Sequence, residues 1–304
     1  MAAPDELKGV LLVDKPAGMT SHDVVDRIRA AAGIRRVGHT GTLDPAATGL
    51  LILCIGPATR LSEYLTGLDK VYEGHMRLGV STDSHDMDGT VLEERPVPSL
   101  TLSEIQKVLE DFTGQIEQIP PMVSAVKVGG QRLYKLARKG ETVERKPRQI
   151  TVSEFEALEY TPPLVRFRVR CTSGTYVRSL CHEVGQRLGC GGALDTLRRV
   201  AVGKYTVADS VALDTLVNEA DVRARLLPMG DALDLPAVTI RRQGERMLAT
   251  GGALGRVELK TECPVREGWI QIKSESGELL ALGQVKDGPG ELQVLPKRVF
   301  VDAD

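Results

Sequence analysis

The apolar residues of this chain gather in runs of strand length, and that constrains its fold more than any other feature. Gly9–Val13, Leu50–Ile55, Val71–Val80, Gln149–Leu158, Leu164–Thr172 and Ala193–Tyr205 read as strands, the fourth and fifth with alternating polarity. Helices fall between them. The first follows Thr20 or Ser21 as cap, carries Val24, Val25 and Ile28 at helical spacing, and closes at Gly33. The second opens on the capping box Thr101-x-x-Glu104 and runs to about Phe112. The third spans Tyr176–Leu188, with Leu180, Val184 and Leu188 in one stripe. Strands and helices mixed in this way predict an α+β fold.

The texture changes after Pro236. Ala237–Ile240, Arg256–Leu259, Trp269–Lys273, Leu279–Gln284 and Leu292–Leu295 are short strands separated by Gly-rich turns, the pattern of a small all-β barrel, with Trp269 in its core. A length of 304 residues suits two domains of about 100–200 residues each. The boundary is expected near residue 233, giving units 1–232 and 233–304. The larger unit is then expected to work on its own. No apolar run approaches the roughly 18–20 residues of a membrane span. The beginning, MAAPDELKG, lacks a basic segment followed by an apolar one. The expected location is the cytoplasm, with no membrane association.

Net charge is −2, so the total says nothing of nucleic acid. Its distribution does. Residues 127–148 hold Lys127, Arg132, Lys135, Arg138, Lys139, Arg145, Lys146 and Arg148 against only Glu141 and Glu144, in a stretch with few large apolar residues. Such a local basic segment on a near-neutral chain suits a protrusion that grips phosphates, although a solvated surface would look the same. The five cysteines (Cys54, Cys171, Cys181, Cys190 and Cys263) are odd in number and scattered, which argues against a disulfide framework. Cys181 and His182 are helical neighbours that do not share a face for a metal. Asp83, Asp86, Asp88 and Gly89 lack the spacing of a calcium loop and read as a turn with structural aspartates.

Chemistry concentrates in the polar loop Gly38-His39-Thr40-Gly41-Thr42-Leu43-Asp44-Pro45, which runs into Thr48-Gly49 and the strand Leu50–Ile55. Pro45 biases Asp44 to extended geometry. Taken alone, an acid there is a cap or turn residue. The loop as a whole resembles the active-site motif of the TruB family, the bacterial tRNA pseudouridine-55 synthases. Four further stretches resemble that family in the same order. They are Asp14-Lys15-Pro16-Ala17-Gly18-Met19-Thr20-Ser21, Lys70-Val71-Tyr72-Glu73, Ser81-Thr82-Asp83-Ser84-x-Asp86, and Ser173-Gly174-Thr175-Tyr176-Val177-Arg178 with Gly189–Ala193 and the following Leu197-Arg198-Arg199.

The resemblance implies a pseudouridine synthase fold, with a mixed, mostly antiparallel central sheet flanked by helices and loops, followed by a PUA-like RNA-binding barrel. It implies isomerisation of a uridine flipped from the T loop of tRNA, without cofactor or metal, by a monomer needing no protein partner. Asp44 would be the essential carboxylate, able to attack carbon or take a proton beside the sugar. Tyr72 would lie against the base with its hydroxyl near C5, and Arg178 would hold Asp44 in bidentate geometry with Tyr176 close by. His39 would take part in displacing nucleotides, Leu197 would pack beside the base, and Lys15 would brace the Asp44 loop at the substrate pocket. Lys135, Arg138 and Lys139, on a thumb-like insertion at 127–148, would bind phosphates, with Arg198 and Arg199 on the stem side. Arg241, Arg242 and Arg246 would meet the acceptor-side backbone. Two other readings share these features. A guide-RNA-dependent, dyskerin-like synthase has the Asp motif but largely lacks the insertion, and an RNA-binding or tRNA-folding protein would need the basic surface but not Asp44, Tyr72, Tyr176 and Arg178.

Overall fold

β1 (Gly9–Lys15) is apolar almost throughout because both its faces are covered. The computed structural model describes residues 7–122, 124, 127–128, 131–132, 143–288 and 291–300. After β1 come α1 (Ser21–Ala32), β2 (Val37–His39), β3 (Thr48–Ile55), α2 (Ser62–Thr66) and β4 (Lys70–Leu78). The hairpin β5 (Val80–Thr82) and β6 (Val91–Glu94) follows, then α3 (Leu102–Glu110) and β7 (Gly114–Gln118). Next are β8 (Lys127–Val128), β9 (Gln131–Arg132), β10 (Arg148–Thr161), β11 (Leu164–Cys171), α4 (Val177–Arg187), β12 (Gly192–Val202), β13 (Tyr205–Thr206), β14 (Val211–Ala212) and α5 (Glu219–Ala224). The chain finishes with β15 (Ala237–Thr239), α6 (Arg242–Ala249), β16 (Gly268–Lys273), β17 (Leu279–Gly288) and β18 (Glu291–Val299).

Ten strands form one sheet, in the order β14-β1-β3-β12-β4-β11-β10-β7, with β2 beside β3 and β13 beside β12. Pairing is antiparallel except where β14 meets β1 and where β12 meets β3. The second exception is short, Arg198 opposite Thr48 and Arg199 opposite Gly49. It is the seam between the two halves of the sheet, and the site lies there.

The period of two in a strand sorts the core. Leu11, Val13, Leu51, Leu53 and Ile55 point to one face and pack on Val24, Val25 and Ile28 of α1. Val10, Leu12, Leu50, Ile52 and Cys54 point to the other. Across the seam, Met76, Phe155, Val165, Phe167 and Val169 pack under α3 and α4 with Ile105, Leu109, Leu180 and Val184. Thr20 caps α1 in a capping box with Asp23, Gly33 closes it in the left-handed region, and Thr101 caps α3 with Glu104. These ends set where the loops of the site begin.

The C-terminal strands form a separate sheet in the order β15-β16-β17-β18. Residues 256–258 are turn rather than strand, with Leu259 in an isolated bridge to Ile240, and α6 is a helix that the run of short strands did not announce. Trp269 is not in the core of this unit. It is 36 % exposed and meets the edge of Tyr64 at 5.3 Å. Leu279 and Leu282 of β17 join the same cluster as Val10, Leu12, Leu50 and Ile52. Arg60 donates to the carbonyl of Val299 at 2.8 Å, and Arg298 pairs with Glu63. The two sheets therefore share a core.

Candidate active site

Asp44 is presented by a loop whose backbone is tied down on every side. Lys15, at the end of β1, is fully buried and donates to the carbonyls of Pro16, Met19 and Pro45 at 2.8, 2.6 and 3.1 Å. Burial pulls its pKa below the usual lysine range. Ser21 Oγ accepts from the Leu43 amide at 2.8 Å, and the Ala47 amide closes a turn onto the Asp44 carbonyl at 3.1 Å. The Asp44 side chain stays half exposed above this scaffold.

Arg178 comes to Asp44 from the first turn of α4 and is 5 % exposed. Its Nη2 lies 3.3 Å from Asp44 Oδ2, while Nη1 lies 3.6 Å from Asp86 Oδ2 and 3.4 Å from the Ser84 carbonyl. The guanidinium expected to hold Asp44 thus also reaches a second carboxylate, that of Asp86. By sequence alone Asp86 reads as an ordinary turn residue. Its spacing in the Asp-rich turn was visible, but a turn aspartate has too many uses for spacing to reveal this one.

Tyr176 precedes α4 as its N-cap without a side-chain cap of its own. Gln118 of β7, buried, holds the Tyr176 backbone instead, accepting from its amide at 2.8 Å and donating to its carbonyl at 3.0 Å. The Tyr176 ring stands 5.7 Å from the Arg178 guanidinium carbon. Tyr72, on β4, is buried on the same side of the sheet as Leu43 and Ala47, with Leu197 packed against the cluster. Burial raises the Tyr72 phenol above its ordinary pKa, opposed by Arg199. The ring nitrogen His39 Nδ1 is buried without a partner, and burial, then Arg199, holds this imidazole below its usual pKa.

The basic residues divide. Arg198 forms two bonds to Asp14, at 3.0 and 2.7 Å, and remains partly exposed. Arg199, expected to meet phosphate, is instead 2 % exposed, with its guanidinium on the carbonyls of Leu50, Gly41 and Thr42. Lys15 is likewise a brace beneath the loop. Lys135, Arg138 and Lys139 lie outside the described residues. Arg242 and Arg246 are exposed on α6, and Arg241 donates to the Leu259 carbonyl.

The Asp86 turn is clamped to α4 by a second contact. His85, in the left-handed region at φ 67°, stacks on His182 with ring centroids 4.0 Å apart and planes within 5°. Burial first, then His182 and Arg178, pushes the His85 pKa down to about 4, and burial also lowers His182. The unfolded chain, with histidine near about 6.5, takes up these protons first. Stability contributed by neutral His85 is therefore complete above about pH 6.5, declines as pH falls and levels off below about pH 4. His85→Asn, which tolerates the left-handed backbone, should be less stable at pH 7.5 but lose less between pH 7 and 4. Thermal midpoints across that window check this, and equal pH slopes for both proteins would refute it.

Two family models cover adjoining parts of the chain. Residues 29–177 match the TruB family pseudouridylate synthase N-terminal domain, and residues 178–234 match the tRNA pseudouridylate synthase B C-terminal domain. A protein of Opitutus terrae named tRNA pseudouridine synthase B is 54 % identical over 229 residues, covering 75 % of this chain and 95 % of its own.

This chain belongs to the TruB family.

A second TruB relative, from Heliobacterium modesticaldum and bearing the same name, is 41 % identical over 300 residues, 98 % of this chain and 97 % of that one. Among solved structures, a crystal structure of a Cbf5-Nop10-Gar1 complex superposes with a TM-score of 0.75 at 29 % identity, over 97 % of this chain and 86 % of that one. The mostly antiparallel sheet and the loops at its seam are thus the pseudouridine synthase fold. Among the described residues, no helix is long and apolar enough to cross a membrane.

Proposed function

We propose that this TruB-family chain converts uridine to pseudouridine in the T loop of tRNA, at position 55, with Asp44 as the essential carboxylate. The observation that carries the reading is the contact between Arg178 and the half-exposed Asp44, on a loop braced by buried cations and beside Tyr72. The relatives named tRNA pseudouridine synthase B supply the substrate class. The reaction breaks the C1′–N1 bond, turns the base and joins C1′ to C5, with a proton lost from C5 and one gained at N1. Atoms balance without oxidant or reductant. A carboxylate at Asp44 can attack C1′, add to C6 or take the C2′ proton, and each route requires it to be aimed, which is the work of Arg178 and Asp86.

The target uridine must leave its stack, at a cost of a few kcal/mol offset by backbone contacts. Leu197 and the Tyr72 ring would flank it, and His39 would fill the space it leaves. Lys135, Arg138, Lys139 and Arg198 would hold the stem-loop. The chain is read as a cytoplasmic monomer that needs no partner protein or guide RNA. Supporting this over a guided, dyskerin-like role are the 41 % identity to a protein named tRNA pseudouridine synthase B over nearly the whole chain and the presence of the 127–148 insertion. The test is nucleoside analysis of an unmodified T-arm stem-loop after incubation with the protein. Pseudouridine should form, and should vanish when the target uridine is replaced by cytidine; a stem-loop that is bound but unchanged would leave only an RNA-binding role.

Tyr72→Phe tests the hydroxyl. With its pKa raised by burial, the phenol is protonated at neutral pH and can take the C5 proton only while passing on its own, a relay that phenylalanine cannot perform. RNA affinity should persist while the single-turnover rate falls by about 10²-fold or more. Equal single-turnover rates for variant and wild type would remove the hydroxyl from the mechanism.

A further inference from the structure

Arg198 and Arg199 are adjacent on β12, and the alternation of a strand sends them to opposite faces. Arg199 shares the face of Leu197 and stands directly across from Tyr72 in antiparallel register, where facing Cβ atoms are about 4.5–5.5 Å apart. On its other flank it is opposite Gly49 of β3. There a Cβ on residue 49, at φ 101°, would fall 2.3 Å from the Arg199 carbonyl oxygen. Glycine lets the two strands close, and the guanidinium then reaches across β3 into the loop that carries Asp44. Its Nε donates to the Leu50 carbonyl at 2.7 Å, Nη2 to Gly41 at 3.0 Å and Nη1 to Thr42 at 3.5 Å.

A buried guanidinium is costly to hold and could be a simple rivet of the core. What it touches argues otherwise. Two of its carbonyl partners lie two and three residues before Asp44, and its cross-strand neighbour is Tyr72. We propose that Arg199 is a positioning residue for the reaction, fixing the Asp44 loop and the Tyr72 hydroxyl relative to one another across the seam of the sheet. This rests on Asp44 and Tyr72 being the reacting pair. The same cation acts on both neighbouring rings, opposing the rise that burial imposes on the Tyr72 phenol and adding to the lowering that burial imposes on the His39 imidazole.

The test uses the full chain. Arg199→Met removes the charge and all the donors. Its single-turnover rate at saturating enzyme should fall by about 100-fold, with stem-loop affinity within about twofold of wild type. Arg199→Lys keeps the charge with a single donor centre and should recover part of that rate, and it carries the test if the methionine variant does not fold. A purely structural role would lower the folded fraction but leave the folded molecules at full rate. In protein labelled with 13C at tyrosine Cζ, the Tyr72 resonance, assigned with Tyr72→Phe, should move in Arg199→Met. A folded Arg199→Lys protein turning over at the wild-type rate overturns the proposal, as does a rate loss matched by lost RNA affinity. Asp44→Asn run alongside separates the two levels: turnover by that variant would overturn the reading of Asp44 itself.

Discussion

Replacing Asp44 by asparagine is expected to lower the single-turnover rate by at least about 10³-fold while leaving stem-loop affinity within about threefold. In free energy that is about 4 kcal/mol of transition-state stabilisation. Asparagine matches the size of aspartate but can neither attack as an anion nor accept a proton as a base. The substitution should cost the fold little. Asp44 is half exposed, so no cavity opens, and the buried Arg178 keeps the Asp86 carboxylate and the Ser84 carbonyl. Thermal midpoints of the two proteins should agree. A loss of activity accompanied by unfolding would say instead that Asp44 is there to hold Arg178.

A chain ending at Leu233 is expected to lose stability before it loses chemistry. Every residue assigned to the reaction, from Lys15 to Arg199, would still be present. Yet Leu279 and Leu282 would be missing from the cluster with Val10, Leu12, Leu50 and Ile52, together with the Tyr64–Trp269 contact. Two buried leucines are worth about 3–6 kcal/mol. For a domain of this size that lowers the thermal midpoint by on the order of 10–20 °C. It also leaves an apolar patch on the face of β1 and β3 that invites aggregation. Circular dichroism melts of the shortened and full-length proteins make the comparison, and coincident melts would show that the shared cluster contributes nothing.

The Asp44 loop, Lys15, Tyr72, Tyr176 and Arg178 meet near the seam of the sheet, with Lys15 ending β1, Tyr72 on β4, and Tyr176 and Arg178 at the start of α4. The grouping of these residues was legible in the sequence through the family motifs and not through any residue taken alone. Arg199 was misplaced because an Arg-Arg pair reads as surface charge. Alternation held the correction, since a strand that turns Leu197 inward must also turn Arg199 inward and Arg198 out. Asp86 and Gln118 were not legible. Their roles depend on β7 and the β5–β6 hairpin meeting α4, contacts made between segments that lie tens of residues apart. The helix Arg242–Ala249 escaped because its buried residues are only Gly244 and Leu248, too few to show a period.

This geometry is expected to act on one uridine of tRNA. The most direct measurement is position-resolved mapping of pseudouridine in a full, unmodified tRNA transcript after incubation with the wild-type chain and with Asp44→Asn. The prediction is a single modified position, in the T loop, with the wild type and none with the variant. Modification spread over many uridines, or an unmodified transcript in both reactions, would contradict it.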